Sequence, residues 1–262
     1  MLVSGGHTLL LLATSTTHFR VLATTPDESI GRVFDRVSRL LALPWSAKGP
    51  GASLEEFVAA SPVEGHLAPP MPRTMPGILG FSFTGLHSAV ERFVAARGGA
   101  AALDTATKRA LAGGFQTAAI NQLEEKVALA LKWCRNQGYG VKHLVVSGGV
   151  ASNSYLRNRY VKFQGKSYLD ADCSRLGAFL LDACPQDSIS LIFPPPELCT
   201  GKLLHSTPVS SVEKGAADNA VMIAWASMHR FVAGNTDGYD ILIRPKWRIE
   251  ELMGDEIEET PR

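Results

Sequence analysis

A short apolar run that ends in Ser-Gly-Gly occurs twice in this sequence. One copy is Leu2–Gly6, and the other is 144–149. An apolar run before two glycines is typical of a buried strand that enters a tight turn, where a ligand can approach the bare backbone. Successive N–H groups in such a turn form a concave site that suits phosphate. One copy alone would be an ordinary turn, but two copies predict a nucleotide held between two similar strand–turn–helix halves of an α/β protein.

Composition sets only broad bounds on this chain. With 262 residues and 45% hydrophobic content, it can bury one large core or two smaller ones. A net charge of +1 gives no general basic field, so strong non-specific nucleic-acid binding is not indicated. No apolar run reaches the roughly 20 residues of a membrane span, and no targeting segment is visible. The cysteines show no C-x-x-C spacing and are interpreted as reduced structural thiols: Cys134, Cys173, Cys184 and Cys199.

The hydrophobic periodicity predicts strands in the first part of the chain and then mainly helices. A hairpin is expected from strands over 2–13 and 18–24, followed by an amphipathic helix that opens after Ser29. One stripe of that helix is apolar: Ile30, Val33, Phe34, Val37, Leu40 and Leu41. Further predictions are a helix over Leu54–Ala60, a strand over 81–86, a helix over 88–97 and a long helix over 104–137. In the long helix, the pair Gly113 and Gly114 indicates either a kink or a boundary between two helices.

The second half of the sequence repeats the strand–turn–helix order with two interruptions. A strand is expected from Lys142, and a helix opens at Asn153-Ser154 after the second glycine turn. The polar stretches 162–188 and 201–217 are interpreted as surface loops, and 255–262 as a frayed tail. Neither glycine turn has the G-x-G-x-x-G spacing of a dinucleotide-binding fold, and no Walker A loop is present.

Asp35 lies beside the apolar stripe of the first helix. It either faces a cleft or forms a solvated salt bridge with Arg36 or Arg39, and the sequence leaves both alternatives open.

Several further blocks accompany the glycine turns, in a fixed order along the chain. They are Phe34-Asp35-Arg36, Gly49-Pro50-Gly51, Phe81 to Leu86, Phe115-Gln116, Val146 to Asn153, Pro194 to Thr200 and Asp218 to Ala224. Together with Leu2 to Thr8, these blocks resemble the tRNA N6-adenosine threonylcarbamoyltransferase family, formerly described as O-sialoglycoprotein endopeptidases. The Asp27 to Gly31 and Lys48 to Gly51 variants are most similar to the mitochondrial fungal branch.

This resemblance implies an actin-like, two-lobed α/β fold of the ATPase type. Residues 1–100 would form the remainder of the first lobe and 101–254 the second lobe. The implied reaction transfers a threonylcarbamoyl group from threonylcarbamoyl-AMP to the N6 amine of the adenosine beside the anticodon, in tRNAs that read ANN codons. The implied partners are tRNA, a Sua5/YrdC-type enzyme that makes the adenylate, and a second copy in a homodimer. The implied location is the mitochondrial matrix, with the cytoplasm as the alternative.

The resemblance also assigns roles to individual residues. By matching motif, Leu2, Val3, Ser4, Gly5 and Gly6 would contact the phosphate and acyl region of the adenylate. Asp35, Gly51 and Asn153 would line the nucleoside, and Asp218 would be a ligand of one divalent metal, iron or zinc. Attack of an aromatic amine on a carbamoyl carbonyl needs placement and a sink for negative charge, which backbone N–H groups and a metal can supply.

The sequence departs from the family pattern at two places. The family's H-x-x-x-H metal ligands precede the first glycine turn, and the histidines of this chain include no pair at that spacing. We therefore expect an incomplete first lobe, poor metal binding and impaired catalysis. The segment 201–217 separates Thr200 from Asp218 where the family runs directly from one to the other; it either bulges away harmlessly or displaces the ligand.

The sequence leaves three other interpretations to compare with the transferase. One is a catalytically inactive nucleotide-binding remnant, or the partner of a full-length homologue, and another is a sugar-kinase-like phosphotransferase. The third, the old protease description, has no support because no activated Ser or Cys constellation is present. For tRNA contacts, the alternation of Arg244, Lys246 and Arg248 suggests a strand edge that touches phosphates, although most basic residues look like ordinary solvated charges.

Overall fold

The computed structural model describes residues 1–15, 18–164 and 189–194, together with 227–228, 230–234 and the single positions 236, 238, 240 and 249. Several sequence predictions lie outside these residues. They concern Asp218, the segment 201–217, most of 162–188, the tail 255–262, three of the four cysteines and the basic positions Arg244, Lys246 and Arg248. Among the described helices, none has both the length and the apolar content that crossing a bilayer requires.

The chain begins with a three-stranded antiparallel sheet in the order β1 (Leu2–Val3), β2 (Thr8–Ala13), β3 (Phe19–Thr24). The predicted hairpin is confirmed in β2 and β3, but the prediction of one strand over 2–13 is wrong. The chain reverses within that run, because the Ser4 amide donates to the His7 carbonyl at 2.8 Å. The Ser4 hydroxyl also accepts from the amides of Gly6 and His7, so the first Ser-Gly-Gly is itself a tight turn.

The amphipathic helix after Ser29 is confirmed as α1 (Ile30–Leu40). Its apolar stripe faces the core, with Leu40 alone half-buried. The helix starts against the first turn, since the Thr8 hydroxyl accepts from the Ile30 amide at 2.9 Å and the Ser4 carbonyl accepts from the Gly31 amide at 3.2 Å. Two of the N–H groups that a helix start leaves unpaired are thereby satisfied by the hairpin.

The second helix, α2 (Pro50–Ala59), begins four residues earlier than predicted. Gly49 precedes it with φ of +107°, a conformation that favours glycine, and Pro50 occupies the first helical position. The Gly-Pro-Gly sequence is thus the start of the helix. Gly51 consequently lies in the first turn of α2.

The predicted strand over 81–86 is wrong. Phe81 and Phe83 are both buried, which explains the apolar–polar alternation, but the segment bonds to the sheet only where the Phe81 amide meets the Thr24 carbonyl. The chain instead enters α3 (Thr84–Ala95), whose start is held by Asp27. That carboxylate accepts from the Phe83 and Thr84 amides at 3.2 and 3.3 Å.

The long predicted helix is confirmed as α4 (Thr105–Asn136), with Asp104 accepting from the Thr107 amide at its start. It runs without interruption through Gly113-Gly114, so the predicted boundary between two helices is wrong. A Cβ at Gly113 would lie 3.0 Å from a methyl group of Val63, and the glycine therefore lets the 61–64 segment pass close to the helix.

The second half contains β4 (His143–Val145), a short 3₁₀ helix (Gly149–Ser152), α5 (Ser154–Gln164) and β5 (Ser190–Ile192). β4 and β5 pair in parallel. The predicted helix start at Asn153-Ser154 is confirmed, whereas the first three residues of the predicted loop 162–188 belong to α5. Arg159 of α5 fastens this helix to α4 through two short contacts with Glu124, at 2.6 and 2.9 Å.

One cluster of buried side chains joins all of these elements. It includes Val3 from β1, Phe34 from α1, Phe115 from α4, Val146 after β4 and Leu156 from α5. Cys134 lies in the same interior with a free thiol, and its burial raises the pKa of that thiol. The core therefore connects the two segments that carry the glycine turns.

Candidate functional site

The two Ser-Gly-Gly turns lie side by side. Leu2 and Ser147 form a parallel bridge, in which the Val3 amide donates to the Ser147 carbonyl at 2.8 Å and the Ser147 amide donates to the Met1 carbonyl at 3.0 Å. Gly148 has φ of +105°, and a Cβ there would lie 2.3 Å from the Val3 carbonyl oxygen. The close approach of the two turns therefore requires glycine at this position.

The start of α1 closes one side of the first turn. The Ser29 hydroxyl donates to the Gly5 carbonyl at 2.6 Å, and a Cβ at Gly31 would lie 2.7 Å from the Ser4 carbonyl oxygen. Gly31 thus shapes the site, although it is not among the predicted site residues. The signal in the sequence is a glycine within the first turn of a predicted helix. Glycine destabilises a helix relative to alanine, so its presence there indicates that another segment packs closely against it.

The opposite side of the turns is open. No atom lies within 4 Å of the place where a Cβ would sit at Gly5, Gly6 or Gly149, and all three residues are exposed. Val3 is fully buried, so its side chain is not accessible to a ligand on this side. Both turns therefore present bare, accessible backbone, and a phosphate site there stays a prediction.

Asp35 faces α2. Its Oδ1 accepts from the Gly51 amide at 2.8 Å, which brings two of the predicted nucleoside residues into direct contact. A salt bridge to Arg36, one of the two alternatives for Asp35, is not formed, because Arg36 pairs with Glu28 at 2.5 Å. Asp35 is half-buried at the junction of α1 and α2.

Asn153 lies at the start of α5, and α2 connects it to the Asp35–Gly51 pair. Its Oδ1 accepts from the Leu156 amide at 2.9 Å, and the residue is only 6% exposed. The next amide, of Ser154, donates to the Glu55 carboxylate at 2.7 Å. Glu55 follows Gly51 by one helical turn on α2, so the two lie on the same face. Sequence reasoning missed Glu55, because its contact with a residue far along the chain leaves no local pattern.

The described residues do not form a metal site. Among them, no group of three His, Cys, Asp or Glu side chains is arranged to hold an ion. Asp218, the predicted ligand, lies outside the described residues. The donor set on the described part of the chain therefore does not fit a catalytic metal, and we derive no chemical step through one.

Comparison with known proteins gives one consistent result. The sequence model of the TsaD family, tRNA N6-adenosine threonylcarbamoyltransferase, matches residues 1–204. The enzyme of that name from Bartonella bacilliformis is 32% identical over 260 residues, which cover 96% of this chain and 59% of the relative. The Granulibacter bethesdensis enzyme is 33% identical over 252 residues, with 95% and 56% covered.

Relatives named as mitochondrial enzymes match over the same region. The one from Schizosaccharomyces pombe is 32% identical over 260 residues, which cover 97% of this chain and 54% of the relative. The chain therefore spans little more than half the length of the curated relatives it matches. The mixed α/β architecture of the chain is consistent with the actin-like fold of this family. Because the family's sequence model matches residues 1–204, the chain belongs to the tRNA N6-adenosine threonylcarbamoyltransferase family.

Proposed function

We propose that this chain takes part in threonylcarbamoyl transfer from threonylcarbamoyl-AMP to the N6 amine of the adenosine beside the anticodon of ANN-reading tRNAs. The observation that carries the proposal is the contact between the two glycine turns, with Asp35, Gly51 and Asn153 connected through α2. The inactive-remnant alternative is favoured by no observation on the described residues or in the comparisons.

The adenylate would lie in the open space beside the turns. The segment Leu2–Gly6 and the neighbouring Gly149 would contact the phosphate and acyl groups. The amides of Val3, Ser4 and Gly6 are used within and between the turns. The Gly5 and Gly149 amides, which make no hydrogen bond within the described residues, are therefore the N–H groups that would stabilise negative charge. Asp35 is oriented by the Gly51 amide on its Oδ1, and within the described residues its other oxygen has no hydrogen-bond partner. That oxygen suits a ribose hydroxyl. Asn153 and Glu55 would close the nucleoside end of the site.

Transfer needs no nucleophilic side chain. The exocyclic amine of the target adenosine attacks the carbamoyl carbon, a new C–N bond forms, the bond from that carbon to the phosphate oxygen breaks, and AMP leaves as the amine loses a proton. The protein's part is to hold the two substrates in line and to stabilise the oxyanion that develops on the carbonyl.

The finer assignments belong to the same proposal. They are one divalent metal, iron or zinc, with Asp218 as a ligand, which this chain would bind poorly because it lacks the H-x-x-x-H pair. They also include adenylate supply by a Sua5/YrdC-type enzyme, a homodimer, a lobe boundary near residue 100, and location in the mitochondrion. The name of the Schizosaccharomyces pombe relative supports the location.

The test is titration of the chain with a non-hydrolysable threonylcarbamoyl-adenylate analogue. We expect saturable binding by the wild type and at least a tenfold weaker affinity for Asp35→Ala, because the carboxylate no longer holds a ribose hydroxyl. Glu56→Ala, on the exposed side of α2, is the matched control and should bind normally. Absence of wild-type binding, or equal binding by Asp35→Ala, would contradict the proposal. Incorporation of labelled threonine into unmodified tRNA separates an active enzyme from a remnant.

A further inference from the structure

We propose that the outer face of α1 and the loop after it form the surface that binds RNA next to the adenylate site. The α1 basic face is defined here by Arg32, Arg36, Arg39, Lys48 and the indole of Trp45. This inference rests on the proposed function for the identity of the RNA, a tRNA anticodon loop.

The three arginines form a row. Positions 32, 36 and 39 follow the i, i+4, i+7 spacing that places side chains on one side of a helix. All three are exposed, whereas the apolar stripe of α1 is buried on the other side. The row extends over seven residues, or about 10 Å at 1.5 Å per residue, which is long enough to meet more than one phosphate of a strand.

The charge of this row is only partly neutralised. Arg36 pairs with Glu28 at 2.5 Å, and Lys48 forms a looser pair with Glu56 at 3.4 Å. Arg32 and Arg39 have no acidic partner within the part of the chain that the structure describes. Planar guanidinium groups that are free to form bidentate contacts are the protein groups best suited to phosphate. In a chain with a net charge of only +1, this face is a local concentration of positive charge.

Trp45 adds a second kind of contact. Its side chain belongs to the loop between α1 and α2 and is 75% exposed, although a large aromatic residue normally buries most of its surface. Proteins that bind single-stranded RNA stack unpaired bases on such rings beside basic side chains. An anticodon loop offers both unpaired bases and closely spaced phosphates, whereas a membrane surface would favour several apolar side chains instead of one.

The position of the face relates it to the site. Asp35 lies on the same helix between Arg32 and Arg39, at the edge that contacts Gly51. The loop that carries Trp45 and Lys48 leads directly to Gly49 and the start of α2. RNA bound along the basic face would therefore bring an unstacked adenine to the entrance of the adenylate site.

The test measures binding of a fluorescent RNA hairpin that carries an unmodified anticodon loop, at several salt concentrations. The double charge reversal Arg32→Glu/Arg39→Glu should weaken binding at least tenfold at low salt. It should also reduce the slope of log K against log salt by about 1.5, because two phosphate contacts are lost. Arg92→Glu/Lys132→Glu makes the same change of charge at exposed positions on α3 and α4, and should bind like the wild type.

Trp45 is tested separately with two substitutions. Trp45→Ala should lose about fivefold or more in RNA affinity and Trp45→Phe should retain most of it, since stacking needs an aromatic ring. Equal RNA binding by the wild type and the charge-reversed variant overturns the proposal. The proposal is also overturned if the charge-reversed variant no longer binds phosphatidylserine vesicles but binds RNA like the wild type. That result would make the face a membrane contact.

The adenylate-analogue titration distinguishes failure of this inference from failure of the proposed function. A wild type that binds the analogue but no RNA refutes the surface alone, whereas one that binds neither refutes both. The charge-reversed variant should bind the analogue with unchanged affinity, which also shows that it is folded.

Discussion

Gly148 and Gly149 are neighbours in one motif, yet the structure gives them different roles. Gly148 has a positive φ and lies against the Val3 carbonyl, while Gly149 borders open space. We expect Gly148→Ala to lower the free energy of unfolding by about 2–3 kcal/mol, because the methyl group collides with backbone and strains φ. We expect Gly149→Ala to change stability by less than about 1 kcal/mol and to weaken binding of the adenylate analogue. Urea denaturation and titration measure the two effects.

Gly140 supplies a control for this pair. It is exposed and, like Gly149, has nothing within 4 Å of the Cβ position, but it lies before β4 and away from the turns. Gly140→Ala should leave analogue binding unchanged. If Gly148→Ala were as stable as the wild type, the close contact between the turns would not exist in solution.

At the scale of residues, the sequence predicted which residues lie near one another, and their roles in a site stay predictions. The structure brings Asp35 and Gly51 into contact and connects Asn153 to them through α2. Glu55 and Gly31 were missed, because each acts through a contact between segments that are distant in sequence. Contacts of this kind produce no regular spacing of residues that could be recognised in a single sequence.

Among the helices and strands, Asp27 shows why boundaries were harder to predict than the helices themselves. Its carboxylate lies in the loop before α1 but caps α3, so the start of α3 at Thr84 is determined by a residue far upstream. The apolar alternation at 81–83 indicated a strand, yet the segment only carries two phenylalanines into the core. Periodicity identified α1 and α4 because their packing faces repeat over many residues, whereas α2 and the 2–13 run depend on glycine turn geometry.

The Asp27 cap predicts a specific pH dependence. Burial raises the pKa of this carboxyl, but hydrogen bonds from Thr25, Ser82, Phe83 and Thr84 outweigh burial and hold the pKa below its usual value. Its stabilising contribution is therefore complete above about pH 4 and is lost as the pH falls through the lowered pKa.

We expect Asp27→Asn to be less stable than the wild type at pH 7 by about 1 kcal/mol. The difference should begin to shrink as the pH falls below about 4. It should approach zero once the pH passes through the lowered pKa of the folded protein, where the wild-type carboxyl becomes neutral. Thermal or urea unfolding across this pH range measures it. Glu56→Gln, which removes one exposed charge without touching a helix cap, should show little difference at any pH. If the difference in unfolding free energy between the wild type and Asp27→Asn stayed constant with pH, the charge of Asp27 would not stabilise the start of α3.

For the whole molecule, the sequence repeat predicted the relation between distant parts of the chain. Two like turns implied one shared ligand space, and the bridge between Leu2 and Ser147 places them together on a common core. The predicted lobe boundary near residue 100 stays a prediction. The core that joins both segments nevertheless means that a ligand bound at one turn is also beside the other.

This arrangement predicts coupled protection of the two turns. Adding the adenylate analogue at about 100 times its Kd stabilises the bound state by about 2.7 kcal/mol, so amides that exchange through opening of the site should slow by up to about 100-fold. We expect hydrogen exchange to slow together at 5–7 and 148–150, since one ligand contacts both segments. The short helix Gly65–Leu67, remote from the turns along the chain, should show no change. Protection of one turn without the other would mean that the ligand lies on a single segment, and the shared site would then have to be abandoned despite the bridge between the turns.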